Sequence, residues 1–263
     1  MRPGLVHHVP MRNRILTAAT AAMVLLAACG AASGGPVDGG TGPAGSAAGS
    51  TSVAQGASAK NNASLVSAGN RFGRRYHGTV SRITPAIRDR MTSSWRPGCP
   101  VPLRDLRYLE VSRWGYDGKA RIGELVVRRA HAWPMVGVFR KLFRARFPIR
   151  RMRLVDEYGA DDNASMAANN TSAFNCRLAT GGSSWSEHAY GRAIDINPIQ
   201  NPYVKGGTVL PPAGRRFVDR KRKAQGMIHH GDVVVRAFAA IGWEWGGHWS
   251  SLKDYQHFSS TGR

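Results

Sequence analysis

The sequence predicts an α+β domain, a small antiparallel sheet flanked by helices, and three observations carry that expectation. Segments with strand periodicity and segments with helical periodicity are interspersed without a regular βαβ alternation. A turn signature separates two strand-like runs near the middle of the chain. Roughly 200 residues that include seven tryptophans follow a leading segment that cannot build a core, which is one domain's worth of chain.

That lead is read first. Arg12 and Arg14 precede an apolar run over 15–28 and then Cys29. A basic start and an apolar run of this length match an export signal and are too short to span a membrane, so residues 1–28 are expected to be a signal peptide. Leu26-Ala27-Ala28-Cys29 resembles the lipobox of bacterial lipoproteins. That resemblance implies acylation of Cys29 and anchoring to the outer face of the cytoplasmic membrane; an ordinary signal-peptidase site, and a secreted protein, is the alternative. Residues 29–63 are almost wholly Gly, Ala, Ser, Thr, Pro and Asn. Such a stretch buries too little apolar surface to offset its ordering entropy and reads as a flexible tether. Residues 64–263 are then the folded domain, expected to be soluble and monomeric.

Within the domain, 106–114 and 123–129 carry alternating or β-branched patterns, and Tyr116-Asp117-Gly118-Lys119 between them supplies turn chemistry, so a hairpin is expected. After Pro134, Val138, Phe139, Leu142, Phe143 and Phe147 recur at helical spacing while Arg140, Lys141, Arg144 and Arg146 face away, which predicts an amphipathic helix ending near Phe147-Pro148. The stretch 151–158 reads as a strand and 161–171 as a polar loop. Residues 193–197 read as a short strand that turns Ile194 and Ile196 into the core and Asp195 toward a cleft. A helix is expected over 232–241, stopped by Gly242, and a strand over 243–245.

Cys99 and Cys176 are the cysteines left after Cys29. In an exported chain such a pair is readily oxidised, and a bond closing that loop would add about 4 kcal/mol in the chain-entropy treatment. The rival reading makes Cys176 a nucleophile or metal ligand. The formal charge is +21, and removal of Arg2, Arg12 and Arg14 with the leader leaves +18. Dense basic runs stand at 140–153 and 215–223. A field of this sign attracts anionic wall polymers and lipid headgroups as well as nucleic acid. Export argues against nucleic acid, and the chain carries no nucleic-acid fold signature. A generally basic, solvated surface is the bland alternative.

The chemistry concentrates in Ser186-Glu-His188-Ala-Tyr190-Gly191-Arg-Ala193-Ile-Asp195 and in Asp254-Tyr-Gln-His257. A catalytic zinc takes three ligands from His, Asp or Glu and leaves a position for water, whose pKa it lowers to roughly 7. His188, Asp195 and His257 supply such a set for one ion. Asp254, three residues before His257, is placed by a helical turn or a tight loop to act as general base. Ser186 is a candidate for orienting the ligand segment, and Gly191 for a turn that no side chain would allow.

Ser186-x-His188-x-x-Gly191-x-Ala193-x-Asp195, with Asp254-x-x-His257, resembles the zinc D-alanyl-D-alanine carboxypeptidases of the VanY type and their relatives, the phage L-alanyl-D-glutamate endopeptidases. Asp195-Ile-Asn-Pro198, Asn201-Pro-Tyr203 and Gly242-Trp243-Glu-Trp245-Gly-Gly-His248-Trp249 extend the resemblance over about residues 150–258. It implies zinc on His188, Asp195 and His257, Asp254 as base, peptidoglycan stem peptides as substrate, and a fold of the hedgehog and DD-peptidase kind. It also implies a basic side chain that holds substrate or oxyanion, for which Arg177 is the candidate. Tyr190, Trp245 and His248 are expected with Ser186 at the substrate pocket. His229-His230 lack ligand spacing. A non-catalytic wall-binding module of the same fold is the alternative reading, and Ser250-Ser-Leu-Lys253 formally satisfies the Ser-x-x-Lys of serine peptidases, though in that family the serine stands near the start of a larger domain.

Overall fold

The expected hairpin forms, and the chain before it adds a third strand. The structure is a computed structural model that describes residues 75–263; the leader at 1–28, Cys29 and the tether at 29–63 lie outside the described residues. Strand β1 (Gly78–Arg82) leads to a short helix α1 (Pro85–Arg90), where Thr84 Oγ1 accepts from Ile87 N and Pro85 opens the first turn. β2 (Leu106–Trp114) and β3 (Ala120–Arg128) pair antiparallel, with Leu109 opposite Leu125, and β1 pairs the other edge of β2. Gly118 takes φ +70° in the connection, a conformation a Cβ would penalise.

Helix α2 (Ala132–Arg144) lays Met135, Val136, Phe139, Leu142 and Phe143 against this sheet and leaves Arg140, Lys141 and Arg144 exposed. Full burial of each large apolar side chain is worth about 1.5–3 kcal/mol. The helix stops at Arg144 rather than near Phe147, because Arg146 enters the left-handed region at φ +54° and Phe147 N turns back to Leu142 O at 3.0 Å.

Two local expectations are corrected. The stretch 151–158 is strand only at β4 (Arg151–Met152), followed by a 3-10 turn over Val155–Tyr158. The ladder cannot extend, because Asn170 takes the next backbone groups with its side chain: Oδ1 accepts from Arg153 N and Nδ2 donates to Arg153 O. The expected loop at 161–171 contains helix α3 (Asp162–Ala167) and β5 (Asn170–Thr171), which pairs parallel with β4. Asp161 starts that helix by accepting from Asn163 N and Ala164 N.

The rest of the chain supplies two more three-stranded sheets. β6 (Ala193–Asp195), β9 (Glu244–Trp245) and β11 (His257–Ser259) form one, with β11 in the middle. β7 (Tyr203–Lys205), β8 (Thr208–Leu210) and β10 (Lys253–Asp254) form the other, with β7 in the middle. Helix α4 (Val233–Ala239), capped by Asp232 and followed by Gly242 at φ +76°, brings Phe238 onto Phe258 of β11 at 4.2 Å between ring centroids. The core is thus continuous from the β2–β3 hairpin through α2 to β11. The strand ends at Asp195 instead of running to Asn197, and both faces of the stretch 193–197 are buried, since Ala193 and Asn197 are as enclosed as Ile194 and Ile196.

Cys99 and Cys176 are joined in a disulfide with a sequence separation of 77, which settles the alternatives left open for Cys176. The class is α+β with small antiparallel sheets. Among the described residues, no helix is long and apolar enough to cross a membrane.

Candidate metal centre

Strand register places two of the three expected ligands side by side. In the β6–β11 pair His257 stands directly opposite Asp195, and His257 Nδ1 lies 3.0 Å from Asp195 Oδ1. The third comes from a single 3-10 turn over Glu187–Tyr190, which Ser186 caps by accepting from His188 N at 3.3 Å. His188 Nε2 then reaches 3.2 Å from Asp195 Oδ2 and 3.3 Å from His257 Nδ1.

Gly191 ends that turn at φ +64°, where a Cβ would stand 2.6 Å from Arg128 N. The contact is functional packing, because Arg128 N donates to Gly191 O at 2.8 Å and so ties the His188 turn to the end of β3.

The histidine tautomers follow from what the far ring nitrogens touch. His188 Nδ1 is 2.6 Å from Ala173 O and His257 Nε2 is 2.8 Å from the main-chain oxygen of Arg263. Each oxygen can only accept, so each of those nitrogens carries the proton, and His188 Nε2 and His257 Nδ1 are left with lone pairs aimed at the centre. One atom from each of His188, Asp195 and His257 lies within 4.8 Å of the others, and all three residues are buried. Burial opposes charge on Asp195, but the His188 and His257 partners outweigh it and hold the carboxyl well below the usual range. Burial likewise disfavours a charged His257, yet the Asp195 bond raises it to about 9, so without a cation its Nδ1 also holds a proton, which a divalent cation would displace to take up the lone pair. Two imidazoles and an ionised carboxylate converging on one point fit a divalent cation.

Asp254 faces the same cleft from β10, opposite Tyr203 of β7. The Asp254-x-x-His257 segment is therefore strand, turn and strand, not a helical turn. Gly246 lets it approach: a Cβ there would meet Asp254 O at 2.6 Å. Asp254 Oδ1 is buried without a hydrogen-bond partner among the described residues. Burial, and then the charge of Asp195, push the Asp254 carboxyl up to about 7. A cation between the ligands would act against both.

The cleft has a volume of about 460 Å³ and is lined by Ser186, Tyr190, Arg177 and Asp254 along with the three ligands. Arg177 Nη2 pairs with Asp162 Oδ2 at 2.7 Å, so its guanidinium is anchored at the rim by the first residue of α3. Tyr190 lies under the Arg192 guanidinium, 4.3 Å from its ring centroid.

Two expected pocket residues are placed elsewhere. Trp245 is 4 % exposed and packs in the core, with Nε1 donating to Tyr255 O. His248 is exposed beside His230, with Nε2 at 2.9 Å from His230 Nδ1. It is Trp249 that reaches the cleft, its ring 5.5 Å from that of His257. Tyr203, Lys205 and Gln256 also line it and carried no role in the sequence reading, although Asn201-Pro-Tyr203 was part of the resemblance. Lys253 of the Ser-x-x-Lys match donates to Gly247 O and Trp249 O, not to a serine.

Residues 180–260 match the family model described as D-alanyl-D-alanine carboxypeptidase. The resemblance read from the motifs is thereby shown for that segment, which holds all three converging residues and Asp254 and leaves Arg177 outside. No curated protein and no solved structure matches the chain significantly.

Proposed function

We propose that this chain is an exported zinc peptidase that hydrolyses peptidoglycan stem peptides, as a D-Ala-D-Ala carboxypeptidase or as an endopeptidase of the L-Ala-D-Glu type. The observation that carries the reading is the convergence of His188 Nε2, Asp195 and His257 Nδ1, with the far nitrogens already bonded to main-chain oxygens. His188, Asp195 and His257 would hold one zinc, which supplies Lewis acidity toward a carbonyl and lowers the pKa of water.

The remaining work falls to side chains of the chain itself. Asp254 takes a proton from water and returns it to the leaving amine, a task suited to a buried carboxyl that faces the cleft with one oxygen unpartnered. Arg177 supplies positive charge at the rim for the developing oxyanion or a substrate carboxylate. Ser186 fixes the His188 turn, and Tyr190 gives the peptide an aromatic wall. The unpartnered Asp254 Oδ1 favours catalysis over a mere binding module, because a buried orphan carboxylate oxygen is costly unless something uses it. The fold would be of the hedgehog and DD-peptidase kind. Residues 1–28 would direct export and Cys29 would carry a lipid, holding a monomeric enzyme on the 29–63 tether at the outer face of the cytoplasmic membrane.

The test is digestion of purified peptidoglycan followed by mass analysis of the muropeptides. A metal chelator is expected to abolish cleavage, zinc to restore it and a β-lactam to leave it unchanged. Loss of a single terminal D-Ala assigns a carboxypeptidase and loss of a longer piece an endopeptidase. Chelator-resistant hydrolysis sinks the zinc reading.

A further inference from the structure

The basic run at 140–153 has a structural consequence away from the metal centre. Arg113, Arg121, Arg150, Arg151 and Arg153 line a second cleft of about 490 Å³, which shares no residue with the first. Arg113 is only 7 % exposed. Its Nη1 donates to Ile149 O at 2.8 Å, but its Nε is buried with no partner among the described residues. Directly across the β2–β3 ladder stands Arg121, a like charge where opposite charge would stabilise.

The carboxylates near this cleft offset Arg121 and Arg153, the latter also through Glu124 at 3.7 Å, and leave the other three arginines uncompensated. Asp117 is held by Arg121 through two bonds of 2.6 and 2.7 Å. Glu157 is shared between Arg90 and Arg153 at 3.9 and 3.8 Å. Arg113, Arg150 and Arg151 form no ion pair among the described residues. Burial depresses the Arg113 pKa to about 10, and the neighbouring Arg121 and Arg153 charges add to the effect. A buried guanidinium with a free N–H and like-charged neighbours is costly by itself. An oxyanion in the cleft offsets the like charges that raise that cost.

We propose that this cleft binds a phosphate group. Arg113, Arg150 and Arg151, the guanidiniums of this cleft left without a carboxylate, match an anion with three or more oxygens and up to two charges better than a single carboxylate, since several N–H groups can share its oxygens. A phosphodiester of an anionic polymer and a phospholipid headgroup present this same chemistry. The site does not depend on the peptidase reading.

Isothermal titration of the full chain with sodium phosphate, at ionic strength held constant with sodium chloride, is expected to show saturable one-to-one binding. The double variant Arg150→Ser/Arg151→Ser, at exposed positions that leave Arg113 and the core intact, should weaken it roughly tenfold or more, while Arg215→Ser/Arg216→Ser outside the cleft should not change it. The absence of binding, or equal weakening in both double variants, overturns the proposal. Glycerophosphodiester and phosphatidylglycerol vesicles identify the source: retention on vesicles lost with Arg150 and Arg151 supports a headgroup, and cleft-dependent binding of the soluble diester alone supports a polymer.

Discussion

Asp254→Ala removes the carboxyl whose Oδ1 is buried and unpartnered, and it touches none of the three converging ligands' hydrogen bonds. It is expected to keep zinc at one per chain while kcat falls about 10²- to 10⁴-fold, the usual share of a general base. Metal content by mass spectrometry and kcat on a stem peptide check the two halves separately, and a fully active variant would show the base to be another group. His188, Asp195, His257 and Asp254 were legible in the sequence because metal chemistry restricts the residue types and the chain brackets them with Gly191 and Ser186. Trp245 and His248 were not, since an aromatic residue beside a strand gives the same pattern whether it enters the core or the cleft. Only the packing of Trp245 on Tyr255 and Phe258 decides it.

Among elements, the 3-10 turn that carries His188 depends on its dock to β3. Gly191→Ala forces a Cβ against Arg128 N and a left-handed φ onto alanine. The expected cost is about 1–3 kcal/mol in denaturant unfolding. His188 should shift with it, so zinc affinity by competition with a chelating dye should fall roughly tenfold or more. Wild-type values in both assays would show that the dock does not position the ligand. A second element-level link joins α1 to the hairpin: Arg90 makes two bonds of 2.9 and 2.8 Å to Glu124, which also accepts from Tyr108. Burial works against the Glu124 charge, but these bonds prevail and lower its pKa. Its contribution is therefore present above the ordinary carboxylate range and lost as pH falls through the lowered value. Glu124→Gln should cost about 1 kcal/mol at neutral pH, the half-exposed Arg90 being screened, and progressively less in acid, as measured by urea midpoints across pH. The hairpin, α2 and α4 could be read from periodicity and turn residues. The 151–171 region could not, because Asn170 and Asp161 end and start its elements through side-chain bonds to the backbone, which leave no periodic trace.

For the molecule as a whole, the disulfide is the long-range constraint. Cys99→Ser/Cys176→Ser releases a loop with a separation of 77 and should lower stability by about 2–4 kcal/mol without removing the metal ligands. The α+β class followed from mixed periodicities, whereas the topology did not. The segments between its small sheets are tied through buried asparagines: Asn197 and Asn201 both donate to Gly226 O, and Asn197 accepts from Arg150 N. Such networks specify a fold through hydrogen-bond geometry that no hydropathy pattern encodes.

The central claim is that His188, Asp195 and His257 hold the ion on which hydrolysis depends. It is tested most directly by adding zinc stepwise to metal-free protein while following cleavage of a peptidoglycan stem peptide. Activity should rise from zero and saturate at one equivalent of zinc, and an Asp195→Asn chain should neither bind that equivalent nor cleave. Full activity in the metal-free protein, or undiminished activity in the Asp195→Asn chain, would contradict it.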